Sequence, residues 1–169
     1  MFNIRSETKL DYSAIGEVNA LAFGRENEAK LIEKIRNSPN YIPELSLVAE
    51  IDEKIVGHIL FSYIDLVDAE TLPVLSLAPM AVVPQFQNRG IGSKLVKAGL
   101  EIAEEKCEIL VIVLGHPEFY PRFGFQPSVN YQIESCFPVP ENVFMVKTLS
   151  RYELKYRGKV VYPPAFLDV

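Results

Sequence analysis

The sequence predicts a mixed α/β protein, a mostly antiparallel sheet of six or seven strands flanked by helices, and three observations carry the prediction. Residues 45–51 and 55–66 are apolar runs of strand character joined by the short polar turn Asp52-Glu53-Lys54, the pattern of an antiparallel hairpin. Past Gly92 the period changes, because Leu95, Gly99, Ile102 and Val96, Leu100, Ala103 form a stripe at helical spacing. The run 109–114 then returns to continuous β-branched character, giving strand, glycine turn, helix, strand.

The remaining elements follow in order. Residues 12–37 read as two short helices, with Ile15, Val18, Ala22 and then Ala29, Leu31, Ile32, Ile35 recurring at helical spacing, and Ser38-Pro39-Asn40 stops them. The run 74–83 is a third strand, closed by Pro84, which has no backbone donor to continue a ladder. The helix after Gly92 carries Lys94, Lys97, Glu101, Glu104 and Glu105 outside its stripe and ends near Lys106. Two further strands are expected around 131–135 and 143–149, and a tail hairpin pairs 153–156 with 159–162 around Arg157-Gly158.

A chain of 169 residues fits one domain, so residues 1–169 are read as a single unit. The stretch 150–169 is expected to pack on the sheet or on a second subunit, because Leu154, Tyr156, Val160, Tyr162 and Phe166 each gain ~1.5 to 3 kcal/mol by leaving water. A homodimer through this tail is left open.

Composition excludes several function classes. A net charge of −5 without a basic cluster argues against a nucleic-acid partner. No run approaches the ~20 apolar residues that span a bilayer and the opening residues lack a secretory pattern, so no membrane partner and a cytoplasmic location are expected. Cys107 and Cys136 are too few for a disulfide framework and read as two buried thiols. With only His58 and His116 as imidazoles, no metal is expected.

The segment Gln87-Asn88-Arg89-Gly90-Ile91-Gly92 lies between a strand and a helix. Such a turn aims unpaired N–H groups, including that of Ser93, at one spot beside the positive end of the helix dipole. Glycine lets a phosphate approach the backbone, and Arg89 can add charge-assisted bonds, so a pyrophosphate is the expected ligand. The spacing excludes two common binders. Gly92-Ser93-Lys94 lacks the glycine and lysine positions of a P-loop, and Leu95 stands where a dinucleotide fold needs its third glycine.

The pattern Gln87-x-x-Gly90-x-Gly92 resembles the Q/R-x-x-G-x-G/A signature of the GNAT superfamily of acyl-CoA-dependent N-acyltransferases. Tyr120-Pro121-Arg122-Phe123-Gly124-Phe125, after the next strand, is similar to that superfamily's Y-x-x-x-G-F segment. The longer run 114–125 and the ending Tyr162-Pro163-Pro164-Ala165-Phe166 resemble its bacterial YhbS-like branch, over roughly residues 2–149 as a whole. Many superfamily members carry an asparagine just after the strand ending here at Leu114; His116 and Glu118 stand nearby instead.

The resemblance implies a GNAT fold whose central strands splay into a notch, with acetyl-CoA as co-substrate. Its pantetheine arm would pair with the backbone of Ala81 and Val82, and its pyrophosphate would rest on Gln87, Asn88, Arg89, Gly90, Ile91, Gly92 and Ser93. Tyr120 would protonate the leaving thiolate, a phenol of pKa ~10 being suited to a thiolate of pKa ~8.5. The general base stays open among Glu118, His116, Ser76 and a relaying water, with His58 a further candidate facing the acceptor cleft. The acceptor would be an amine on a small molecule or peptide. The rival reading from another class is a non-catalytic acyl-CoA-binding sensor on the same fold.

Overall fold

The computed structural model describes residues 2–167. Its main sheet path runs β1 (Asn3–Ser6), β2 (Ser46–Ile51), β3 (Lys54–Val67), β4 (Thr71–Val82), β5 (Leu110–Leu114), β8 (Phe144–Thr148), β6 (Gln126–Pro127). Two more strands, β7 (Ile133–Glu134) and β9 (Gly158–Val161), join the far end of β3 through β9. The β4–β5 and β7–β9 ladders are parallel and the others antiparallel.

Among the described residues, nine strands thus replace the expected six or seven. The additions are short: β1 spans four residues and β6 two. The expected tail hairpin does not form. Residues 153–156 make a turn closed by Tyr156 N–H donating to the Glu153 carbonyl at 3.0 Å, and β9 pairs instead with Asp65, Leu66 and Val67 of β3. The reason lies in the sheet edge. The β2 ladder reaches only Leu60 of β3, so the later part of β3 offers backbone groups that β9 takes up while burying Val160. Both thiols are exposed rather than buried, Cys107 in the turn after the third helix and Cys136 in the loop past β7.

Helices α1 (Tyr12–Phe23) and α2 (Asn27–Arg36) cover one face of the sheet, where Ile15, Leu31, Ile32 and Ile35 pack on Val48 and Leu60. Helix α3 (Ile91–Glu105) covers the other, burying Ile91, Leu95, Val96 and Ala103. Contact is closest at Gly99, where a Cβ would fall 2.1 Å from Cε1 of Phe61 on β3. The helix therefore rests directly on that ring, which fixes the height of its N-terminus above the sheet. No helix among the described residues is long and apolar enough to cross a membrane.

Candidate active site

Strands β4 and β5 are register partners only at Leu75↔Val111 and Ser76↔Ile112. Beyond that point β4 stays with β3 as far as Gly57↔Val82, while β5 follows β8 to Leu114↔Phe144, so the two parallel strands part and leave a notch. At the parting, β4 carries one extra residue against β3, between Ile59↔Met80 and Phe61↔Leu77, around the cis Ala78-Pro79 peptide. This bulge twists β4 away from its neighbour.

The edge of β4 facing the notch keeps usable backbone groups. Val83 N–H donates to Val56 of β3 at 2.9 Å, so alternation along the strand turns the N–H and C=O of Val82 the other way. The Val82 carbonyl accepts a bond from Gln87 Nε2 at 2.9 Å.

The turn after β4 delivers α3 with its first amides bare. Gly90 is the N-cap at φ +82°, a left-handed conformation that costs other residues strain, and no side chain caps the helix. No acidic residue stands in the first turn, so the N–H groups of Gly90, Ile91, Gly92 and Ser93 face outward at the positive end of the helix dipole.

Notch and helix end open on one cavity of about 700 Å³. Ala81, Val82, Gln87, Asn88, Gly90, Ile91, Gly92 and Ser93 line it together. Arg89 does not; it borders the adjoining groove with Phe2, Ile4, Ile51 and Lys94, its guanidinium 5.0 Å from the Phe86 ring centroid.

Tyr120 opens a 3-10 turn after β5 and is 6 % exposed. Its ring meets Phe119 and Phe125 edge-on, with centroids 5.0 and 5.6 Å apart, and it does not itself line the cavity, to which this segment contributes His116, Phe119 and Arg122. Burial pushes its hydroxyl up to about 12. The phenol therefore stays protonated at neutral pH, as a proton donor must.

Residues 43–127 match the model of the acetyltransferase (GNAT) domain. The chain is 34% identical to the uncharacterised N-acetyltransferase YjhQ of Escherichia coli K12 over 164 residues, covering 94% of this chain and 91% of that protein. The chain belongs to the GNAT acetyltransferase family. It is accordingly an acyltransferase, and solved GNAT structures share its fold. A crystal structure of Escherichia coli YhbS with CoA matches at TM-score 0.87 and 30% identity, covering 98% of this chain and 91% of that one. A Brucella melitensis GNAT acetyltransferase crystallised with acetyl-CoA matches at TM-score 0.81 and 28% identity, covering 98% of both chains.

The candidate bases of this GNAT chain occupy different places. His116 is on the cavity wall, Glu118 is exposed outside it, and Ser76 is 3 % exposed where β4 leaves β5. His58 lies on the α1/α2 face, fully buried, with Nε2 3.1 Å from Ser46 Oγ. Ser46 in turn donates to Glu7 Oε1 at 2.6 Å. Burial would push the Glu7 carboxyl up, but bonds from Arg36, Ser46 and Tyr41 together hold it below the usual range. The Arg36 guanidinium binds both Glu7 oxygens at 2.9 Å and stacks 3.7 Å from the Tyr12 ring centroid. Burial, only partly opposed by Glu7, pushes His58 down to about 4, so its ring is neutral at physiological pH.

Ala22 and Phe23 at the end of α1, and Phe86 beyond β4, also line the cavity although no motif names them. Phe23 is 41 % exposed next to the helix-ending Gly24, and an apolar residue left in water at a helix terminus was the available signal.

Proposed function

We propose that the chain binds acetyl-CoA in the notch and moves its acetyl group directly to an amine of a small molecule or peptide, in a ternary complex with Tyr120 as general acid. One observation carries this reading: a parted strand pair and an uncapped helix N-terminus face the same cavity, at the two ends of Gln87-Asn88-Arg89-Gly90. A pyrophosphate fits the amides of Gly90 to Ser93, with Gln87 and Asn88 around it and the side chain of Arg89 reaching it only by turning in from the adjoining groove. The extended pantetheine arm fits the free β4 edge at Ala81 and Val82 as an added strand. The Val82 N–H then polarises the acetyl carbonyl.

Acyl transfer from a thioester to an ammonium gives an amide, a thiol and one net proton. Tyr120 supplies the proton that the departing sulfur takes up as the C–S bond breaks. The phenol is a weaker acid than the thiol, so the transfer accompanies bond cleavage, and one of the two protons lost by the amine nitrogen restores the phenol while the other is released. The bound CoA and acetyl-CoA in the two crystallised relatives support the choice of co-substrate. The β9–β3 ladder supports reading the chain as one acetyltransferase domain whose tail packs on the sheet through 159–161; of the ranges 1–169 and 150–169, residues 1, 168 and 169 lie outside the described residues.

The test is acetyl-CoA-dependent release of free thiol with a panel of primary amines, read beside calorimetric titration of acetyl-CoA. Binding together with amine-dependent release is expected. Tight binding without release on any amine favours the sensor reading, and absence of binding removes the notch from the account.

A further inference from the structure

The notch cavity is lined from both faces of the sheet. Gly90 to Ser93 belong to the α3 side, whereas Ala22 and Phe23 close α1 on the opposite face, and both groups border one space beside the parted strands β4 and β5. With a pyrophosphate on the α3 side, the approach left to a second substrate is the α1 side. Four lining residues belong there. Besides Ala22 and Phe23 they are Ala81, which stands in register with His58 on the α1/α2 face, and Phe86, which also borders the groove along Val18 and Leu21 of α1.

Their chemistry is apolar. Ala22 and Ala81 present only methyl groups, so the two phenyl rings supply most of the apolar surface on this side. Phe23 is 41 % exposed and Phe86 is half-buried, which leaves ring area that a ligand can cover. Charge points the same way. The chain has 22 Asp and Glu residues, yet among the described residues none lines the cavity, whose ionisable side chains are the bases Arg122 and His116. Glu17, Asp52 and Glu53 line the groove behind Phe86 instead. An ammonium group beyond the reacting one would lose water in this cavity and find no carboxylate to replace it.

Resting on the transfer reading above, we propose that the acceptor is an arylalkylamine, a primary amine on an aromatic body, which enters from the α1 face and is held by Phe23 and Phe86. The body covers the two rings and the amine leads toward the thioester. An apolar entrance also disfavours the ammonium form, so the nitrogen sheds one proton to solvent and arrives as the free base that attack on the acetyl carbon requires. Polyamines and lysine side chains, which bring charge without an aromatic body, are the poorer acceptors. Phe23 sets specificity and takes no part in the chemistry.

The test compares 2-phenylethylamine with spermidine at saturating acetyl-CoA. The wild type should show kcat/KM at least about 10-fold higher for 2-phenylethylamine. Phe23→Ala should raise KM for that amine by about 10-fold or more, with kcat and KM for acetyl-CoA unchanged, and Phe23→Leu should restore part of the loss. Phe23→Glu, which places a carboxylate at the entrance, should move the preference toward spermidine. Calorimetric titration of 2-phenylethylamine into the CoA-saturated protein gives a readout without turnover, and Phe23→Ala should weaken that binding. A wild type that prefers spermidine, or a Phe23→Ala variant with unaltered KM and affinity for 2-phenylethylamine, overturns the inference while leaving the transfer reading in place. A wild type that acetylates neither these nor any other amine sinks the transfer reading itself, and this inference with it.

Discussion

A methyl group on Gly115 would fall 2.5 Å from Cε2 of the Tyr120 ring. Gly115 is thus the floor on which that ring lies, just past the end of β5, and Phe119 and Phe125 are its walls. The aromatic frame leaves the hydroxyl as the only chemically active part of Tyr120. Gly115→Ala should displace the ring at an overpacking cost of ~1 to 3 kcal/mol. Thermal melts should show a lower Tm, and turnover should fall while calorimetry finds acetyl-CoA affinity nearly unchanged. Wild-type kcat in this variant would mean that the ring's position does not matter to the chemistry.

Tyr120→Phe removes the hydroxyl and keeps the packing. Turnover is expected to drop ~10²- to 10⁴-fold with affinity for acetyl-CoA retained. A loss confined to KM would mark the residue as an anchor for the co-substrate. Burial raises the folded pKa to about 12 from 10.0, so the neutral phenol stabilises the fold fully below pH ~10 and that contribution disappears between there and ~12. A descending limb of kcat below pH 9 or so therefore cannot come from Tyr120.

Gly90 separates strain from charge at the helix end. A Cβ there meets nothing within 4 Å, yet φ is +82°, so Gly90→Ala should cost only the left-handed strain, ~1 to 2 kcal/mol. Gly90→Glu adds a carboxylate at the cluster of free amides and should abolish acetyl-CoA binding by titration. Equal affinity in the two variants would show that no phosphate rests there.

Acid should unfold the N-terminal corner first. The bond from Arg5, with others from Thr8, holds Asp11 at about 2 against 3.8, and Glu7 is likewise held low. Folded pKa values below the unfolded ones stabilise the protein above pH ~4 and lose that contribution as pH falls toward ~2. Melting temperatures should decline through this window, and less steeply in Arg5→Leu, which has already given up the pair. A decline of the same slope in both proteins would contradict this assignment.

Local pattern made much of this architecture readable. The turn Asp52-Glu53-Lys54 announced β2 and β3 because adjacent residues close that hairpin, and the stripe from Leu95 to Ala103 announced α3 because helical burial repeats within the segment. The glycine turn was legible for the same reason. What stayed hidden depends on distant partners. Asn3 pairs with Glu50 and Asp65 with Val161, contacts for which neither β1 nor β9 carries a long enough pattern. The Glu7, Ser46 and His58 chain joins three segments, so nothing near His58 in sequence marks its ring as bonded on one side and bare on the other. Cys107 looked like a core thiol by residue type, but it lies at φ 62° past a helix end, where the chain turns outward.

The most direct test of the central claim is a crystal structure of the chain with acetyl-CoA. The account predicts the pyrophosphate on the amides of Gly90 to Ser93, the arm along Ala81 and Val82, and Tyr120 Oη within hydrogen-bond reach of the thioester sulfur. Acetyl-CoA bound outside the notch, or bound within it with the Tyr120 hydroxyl out of reach of the sulfur, would contradict it.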